Sequence, residues 1–142
     1  MINEDKYDYV HIFTNNFALV QLNNKCGFIN EHRKKICSIK YDDAWYFHNN
    51  FAKVRLNNKW CFINEEGKEI CPIKYDYVLD FKNHFAIVQL NNKFGFINEE
   101  GKEICPIKYD WVSNFKNHFA IVKLNDKEGF INEKGEEVNN DK

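Results

Sequence analysis

Phe85-Ala-Ile-Val-Gln-Leu-Asn-Asn-Lys-Phe-Gly-Phe-Ile-Asn98 is the stretch that decides the fold class. Two short runs rich in Phe, Ile and Val flank Asn91-Asn92, and asparagine tolerates the positive φ that a two-residue hairpin turn demands. Counting outward from that turn sets Leu90 against Lys93, Gln89 against Phe94, Val88 against Gly95, Ile87 against Phe96 and Ala86 against Ile97. Residues directly opposite share a face. Ala86, Val88, Leu90, Gly95 and Ile97 therefore read as a core face. Phe85, Ile87, Gln89, Phe94 and Phe96 form the other, apolar at one end and polar towards the turn. Downstream, Glu99-Glu100-Gly101-Lys102 predicts a second turn with a left-handed glycine. Residues 103–109 then predict a third extended run, which Pro106 confines to an edge or a strand end. No long window shows helical apolar spacing.

The same unit recurs four times with a period of 34 residues, marked by Tyr7-Asp8, Tyr41-Asp42, Tyr75-Asp76 and Tyr109-Asp110. Repeats 7–40, 41–74, 75–108 and 109–142 follow a leader, 1–6, and fill the chain as one repeat domain with no room for a separate catalytic domain. A 34-residue period also suits tetratricopeptide helical hairpins, but the turn chemistry selects strands. The expected fold is all-β: a tandem array of four antiparallel β-meanders, each stable only when neighbours cover its apolar face. An open solenoid or superhelical array is expected over a closed ring. Val138-Asn139-Asn140-Asp141-Lys142 and Ile2-Asn3-Glu4-Asp5-Lys6 replace, with polar groups, the Cys and second Ile of the inner repeats. Arg33 stands where the other repeats have Gly67, Gly101 and Gly135. A left-handed non-glycine residue costs about 1 kcal/mol.

A net charge of -1 offers no general basic surface for phosphates, so no nucleic-acid recognition is expected. The charge is graded, with five basic against two acidic residues in repeat one and five against seven in repeat four. The acidic start of the chain is not a secretory signal, and no run approaches the ~18–20 apolar residues of a membrane span. Cytoplasmic location and no membrane partner are the expectation, and five cysteines, an odd number, fit it. Cys37, Cys71 and Cys105 share one repeat position and lack the paired spacing of a metal site, so neither metal nor cofactor is expected. Ser38, Ser113 and Thr14 sit in no nucleophile motif. The Asp of each Tyr-Asp reads as a residue capping its own backbone two residues on. None of this points to an enzyme.

Comparison of the copies separates scaffold from variable surface. The positions of Phe81, Phe85, Ala86, Val88, Leu90, Phe96 and Ile97 carry one residue type throughout, whereas those of Leu79, Asp80, Ile87, Gln89 and Phe94 vary. In repeat two the variable set becomes Trp45, Tyr46, Lys53, Arg55 and Trp60, and repeat four carries Trp111. Arg, Trp and Tyr dominate interface energetics, so these six are the candidate binding residues, with Arg55 opposite Trp60.

Residues 90–110, Leu-Asn-Asn-Lys-Phe-Gly-Phe-Ile-Asn-Glu-Glu-Gly-Lys-Glu-Ile-Cys-Pro-Ile-Lys-Tyr-Asp, resemble the bacterial WG (KWG) β-repeat. That unit runs Gly-Lys-Trp-Gly-Phe-Ile-Asp, a Gly-Lys turn, an apolar-apolar-Pro run and Tyr-Asp. This chain departs from it at the name-giving dipeptide: Cys26-Gly27, Trp60-Cys61, Phe94-Gly95 and Glu128-Gly129. The resemblance implies a non-catalytic β-structured binding scaffold. The expected function is recognition of a protein partner, masking or inhibiting it as an immunity protein does a toxin or nuclease. The alternative is a carbohydrate or small-ligand module with aromatic slots.

Overall fold

Asn23-Asn24, Asn57-Asn58, Asn91-Asn92 and Asn125-Asp126 all adopt left-handed φ, between 53° and 68°, in the computed structural model, which describes residues 7–138. Each pair closes a hairpin. In repeat three, β8 (Phe85–Leu90) pairs with β9 (Lys93–Asn98) in the register expected, from Leu90 with Lys93 to Ala86 with Ile97. The same hairpin is built by β2 (Phe17–Leu22) and β3 (Lys25–Asn30), by β5 (Ala52–Leu56) and β6 (Lys59–Ile63), and by β11 (Phe119–Leu124) and β12 (Lys127–Asn132).

A second left-handed pair precedes each hairpin: Asn15-Asn16, Asn49-Asn50, Asn83-His84 and Asn117-His118. It turns the chain back onto a two-residue edge strand absent from the sequence reading. These are β1 (Tyr9–Val10), β4 (Asp43–Ala44), β7 (Tyr77–Val78) and β10 (Trp111–Val112), each antiparallel to the first hairpin strand. The described residues thus form an all-β tandem of four antiparallel meanders, without a helix. In repeat four a further strand, β13 (Glu137–Val138), completes the sheet.

Residues 103–109 are not the continuous third strand expected. They touch β9 at Glu103 opposite Ile97 and at Tyr109 opposite Phe94, and leave the ladder in between. Pro106 has no N–H to offer, and Ile107 arches so closely over Gly95 that an added Cβ would lie 3.0 Å from its Cγ1. Ile39 arches over Gly27 in the same way at 2.9 Å. The second face of the hairpin is apolar at one end as expected: Phe85, Ile87 and Phe96 are buried along with Ala86, Val88 and Ile97, while Gln89 and Phe94 nearer the turn are half-buried.

The chain divides into two compact units, Met1–Ile73 and Lys74–Lys142. In the first, Phe47 of repeat two stacks on Phe17 of repeat one with ring centroids 4.3 Å apart and meets Phe28 edge-on at 5.0 Å. In the second, Phe115 sits on Phe85 and Phe96 at 4.5 and 4.8 Å. Asn15 and Asn83 each donate from Nδ2 to the carbonyl of that phenylalanine at 2.7 Å. Cys26 and Tyr41 exchange two backbone hydrogen bonds, as do Phe94 and Tyr109, which joins one repeat to the next.

Within repeats two, three and four a polar tie links the Tyr-Asp segment to the glutamate that follows the second turn. The Tyr41 hydroxyl donates to Glu69 at 2.6 Å, Tyr75 to Glu103 at 2.7 Å and Tyr109 to Glu137 at 3.0 Å. Burial, and then the neighbouring carboxylate, push the Tyr41 and Tyr109 hydroxyls up, which keeps them protonated donors. The Asp of Tyr-Asp does not cap its own loop. Asp8, Asp42, Asp76 and Asp110 accept instead from the first amide of the hairpin turn fifteen residues on, at 2.8–2.9 Å. Asp42 also takes the Lys25 ammonium of the preceding repeat at 2.5 Å, and Asp110 that of Lys93. Asn30, Asn64, Asn98 and Asn132 provide the local caps, each side-chain oxygen accepting two amides of the second turn.

That second turn explains its glycine twice over. Gly67 has φ of 81°, and a Cβ there would lie 1.9 Å from the Ile36 carbonyl oxygen of the preceding repeat; for Gly135 and Ile104 the distance is 1.8 Å. Arg33 is left-handed as expected, φ 62°, and its guanidinium lies 5.5 Å from the Phe13 ring centroid. A cation–π contact of roughly 0.5–1 kcal/mol offsets most of the backbone cost. The leader 1–6 and residues 139–142, on which the expectation of polar ends rested, lie outside the described residues.

Two outcomes follow from these joints. Phe47→Ala empties the seat on Phe17 and Phe28 and should cost about 3–5 kcal/mol, read from urea unfolding. The Lys25 ammonium and the Asn57 amide hold the Asp42 carboxyl below the usual range, and Lys93 and Asn125 do the same for Asp110. Burial opposes ionisation of Glu103, but Tyr75 and Lys74 outweigh it and lower that carboxyl too. Carboxylates with depressed folded values stabilise fully above their unfolded pKa of about 4. That stability is lost as pH falls through the folded values. Melting temperature should therefore hold steady from neutral pH to about pH 5 and drop steeply below about pH 4.

Candidate functional site

Repeat two carries five of the six candidate residues, and its sheet sorts them into two rows. Arg55 of β5 lies between Asp43 of β4 and Trp60 of β6. Its guanidinium sits 5.8 Å from the Trp60 ring centroid, 3.8 Å from the Asp43 carboxylate, and donates to Asn58 Oδ1 at 3.3 Å. Trp60 is only 8% exposed. The cation–π pair expected from the register is present, but the indole is a buried platform and the guanidinium lies over its ring. In the second row the Trp45 amide donates to the Lys53 carbonyl at 3.0 Å, and the Lys53 ammonium lies 5.3 Å from the Trp45 ring centroid. Here the ring faces outward: Trp45 is 53% exposed and the adjacent Tyr46 44%.

Trp111 belongs to the other unit and is 49% exposed, at the start of β10 opposite Lys123. Its repeat equivalents are Tyr9, Asp43 and Tyr77, and both tyrosines are exposed. Ile12, the equivalent of Tyr46, is exposed too, as is Leu79, the equivalent of Trp45. Most of the large exposed apolar side chains thus come from the two-residue edge strands and the loops that follow them. Sequence reasoning missed Tyr9, Ile12 and Tyr77 because it lacked that strand. The available signal was variation: this position runs Tyr, Asp, Tyr, Trp across the copies.

Groups that could carry reaction chemistry are engaged structurally. Burial pushes up the thiols of Cys26, Cys37 and Cys105, and contact with Cys71 together with burial raises Cys61. Ser113 Oγ donates to the Asn114 carbonyl and accepts the Ile121 amide. His84 and His118 occupy left-handed turn positions and face Glu99 and Glu133 at 3.2 and 3.1 Å. Among the described residues no group of three or more His, Cys, Asp or Glu converges as metal ligands do, and no helix is long and apolar enough to cross a membrane.

The family described as WG containing repeat matches residues 6–26, 27–60, 62–94 and 94–127. No curated protein matches the chain. Among solved structures it is similar to KlHsv2 with loop 6CD replaced by a Gly-Ser linker, at 16% identity and TM-score 0.48 over 86% of this chain and 46% of that one. It is also similar to Kluyveromyces lactis Hsv2p, at 15% identity and TM-score 0.45 over 92% and 50%. The chain spans about half the length of these structures.

The two rows of repeat two should respond differently to truncation. Trp60→Ala removes a buried ring and should cost about 3–5 kcal/mol of stability. Trp45→Ala should stay within about 0.5 kcal/mol of wild type. Chemical denaturation of the two variants tests the assignment.

Proposed function

The chain belongs to the WG-repeat family, and from that premise we propose that it is a non-enzymatic binding protein that recognises a protein partner through its exposed edge-strand residues and masks it. The observation that carries this reading is the exposure of Trp45 and Tyr46 on a scaffold whose invariant aromatics are otherwise mostly buried. A repeat protein binds through the positions it is free to vary, and the exposed rings occupy such positions. Trp and Tyr supply large contact area at low entropic cost and often anchor interfaces. The Lys53 ammonium over the Trp45 face adds a cation beside the exposed ring, suited to a partner carrying carboxylates or phosphates. Two residues along the same strand, Arg55 lies over the buried Trp60 ring. A repeat scaffold of this kind suits an immunity- or inhibitor-type role against a cytoplasmic toxin or nuclease.

The test is co-purification followed by a functional assay of the captured partner. A stoichiometric protein should co-purify, lose activity in the complex, and bind Trp45→Ala about 2 kcal/mol more weakly. Saccharide-dependent quenching of Trp45 fluorescence, with no protein retained, would select the carbohydrate reading instead.

A further inference from the structure

Repeat two holds a pair of cysteines opposite one another, and no other repeat has both. The antiparallel contact of Ile63 on β6 with Glu69 is framed by two backbone bonds. The Asn64 amide donates to the Lys68 carbonyl at 2.9 Å, and the Ile70 amide to the Phe62 carbonyl at 3.0 Å. That pattern makes Ile63 and Glu69 a non-hydrogen-bonded pair, and the next such pair along the register is Cys61 with Cys71. Opposite residues share a face, and the side chains of the two cysteines are in hydrogen-bonding contact. At non-hydrogen-bonded positions the Cα atoms stand about 4.5 Å apart. A disulfide spans roughly 4.4–6.8 Å between Cα atoms.

The place of Cys61 is glycine in every other repeat, as Gly27, Gly95 and Gly129. A Cβ at Gly27 would lie 2.9 Å from Ile39 Cγ1, and one at Gly95 would lie 3.0 Å from Ile107 Cγ1. Cys37 and Cys105, the equivalents of Cys71, therefore have glycine opposite and rest against the backbone of Phe28 and Phe96. Repeat two fills that space with a second thiol. The pair also differs in access, since Cys61 is fully buried and Cys71 is 7% exposed.

We propose that Cys61 and Cys71 form an oxidation site, at which a peroxide closes a disulfide between β6 and the segment that follows the second turn. Cys71, the sulfur nearer the surface, loses its proton and attacks one peroxide oxygen. The O–O bond breaks, hydroxide leaves and takes up that proton, and a sulfenic acid remains on Cys71. Cys61 then gives up its proton and attacks the Cys71 sulfur, the S–O bond breaks, and the hydroxyl departs as water. Two thiols and one peroxide thus yield one disulfide and two waters. Contact with Cys71, and then burial, keep the Cys61 thiol protonated, so it resolves the sulfenic acid and does not react first. The link ties the strand that carries Trp60 to the segment where Glu69 meets the Tyr41 hydroxyl.

Peptide mapping of the folded, reduced chain after treatment with hydrogen peroxide tests this. Trypsin cuts after Lys59, Lys68 and Lys74, so the two cysteines fall on separate peptides, 60–68 and 69–74. Mass spectrometry without reductant should find these joined and about 2 Da lighter than their sum, and dithiothreitol should part them. In urea, Cys26 and Cys37, spaced almost as closely in sequence, should link as readily as Cys61 and Cys71. Cys61→Gly restores the residue of the other repeats, and in that variant Cys71 should be trapped by dimedone as the sulfenic acid. The proposal is overturned if the folded wild type forms no link between 60–68 and 69–74, or if it links other cysteines equally well. It is also overturned if Cys71 in the folded Cys61→Gly variant takes up no dimedone. Circular dichroism establishes that the variant is folded.

Discussion

The structure depends on a phenylalanine placed outside its own repeat. A single 34-residue meander has three short strands and three tight turns, too little apolar area to offset the entropy of ordering its chain. Phe47 and Phe115 resolve this by lodging on two aromatic rings of the repeat before them, where the ring pairs add edge-to-face and stacked contacts to burial. The backbone exchange between Cys26 and Tyr41 and the Lys25–Asp42 pair fix the register of that contact. Folding of one repeat and docking of the next are one event within each unit. Loss of a seat ring is therefore felt in two repeats at once.

Much of this was legible because turn chemistry is local. Asn-Asn before a lysine specifies two consecutive left-handed residues, and with the turn fixed every cross-strand pair follows by counting. The second left-handed pair was harder to see. In repeats three and four it is written Asn-His, and histidine carries no turn signature, although in repeats one and two the same place reads Asn-Asn. The edge strand it creates is two residues long and pairs with one neighbour, so it leaves no periodicity to detect. The third run misled for a different reason: Ile, Pro and Ile suggest a strand, but close approach of Ile107 to Gly95 bends the chain out of the ladder. A glycine at that spot is a feature of the tertiary contact, invisible without the partner segment.

The candidate site divides along the same line between local and non-local causes. The pairing of Arg55 with Trp60 could be read from the hairpin alone. Whether the indole faces water depends on what covers β6, and the structure buries it. Trp45 and Tyr46 lie on the edge strand and its loop, where cover is least, and they remain exposed. Variation among repeats therefore marks two kinds of residue: those that tune packing beneath the sheet, and those that present chemistry above it.

Arg33 shows how a repeat can be adapted to its position without any change in fold. Its backbone adopts the angle that glycine takes elsewhere, so the turn itself is intact. What changes is the space around the turn. Glycine is required at Gly67 and Gly135 by the carbonyl pressed against it as well as by φ. The guanidinium over Phe13 then covers part of the ring that an inner repeat would bury in its neighbour. The same left-handed angle thus carries arginine in the first repeat, with its guanidinium near Phe13, and glycine at Gly67 and Gly135, where a carbonyl of the preceding repeat leaves no room for a Cβ.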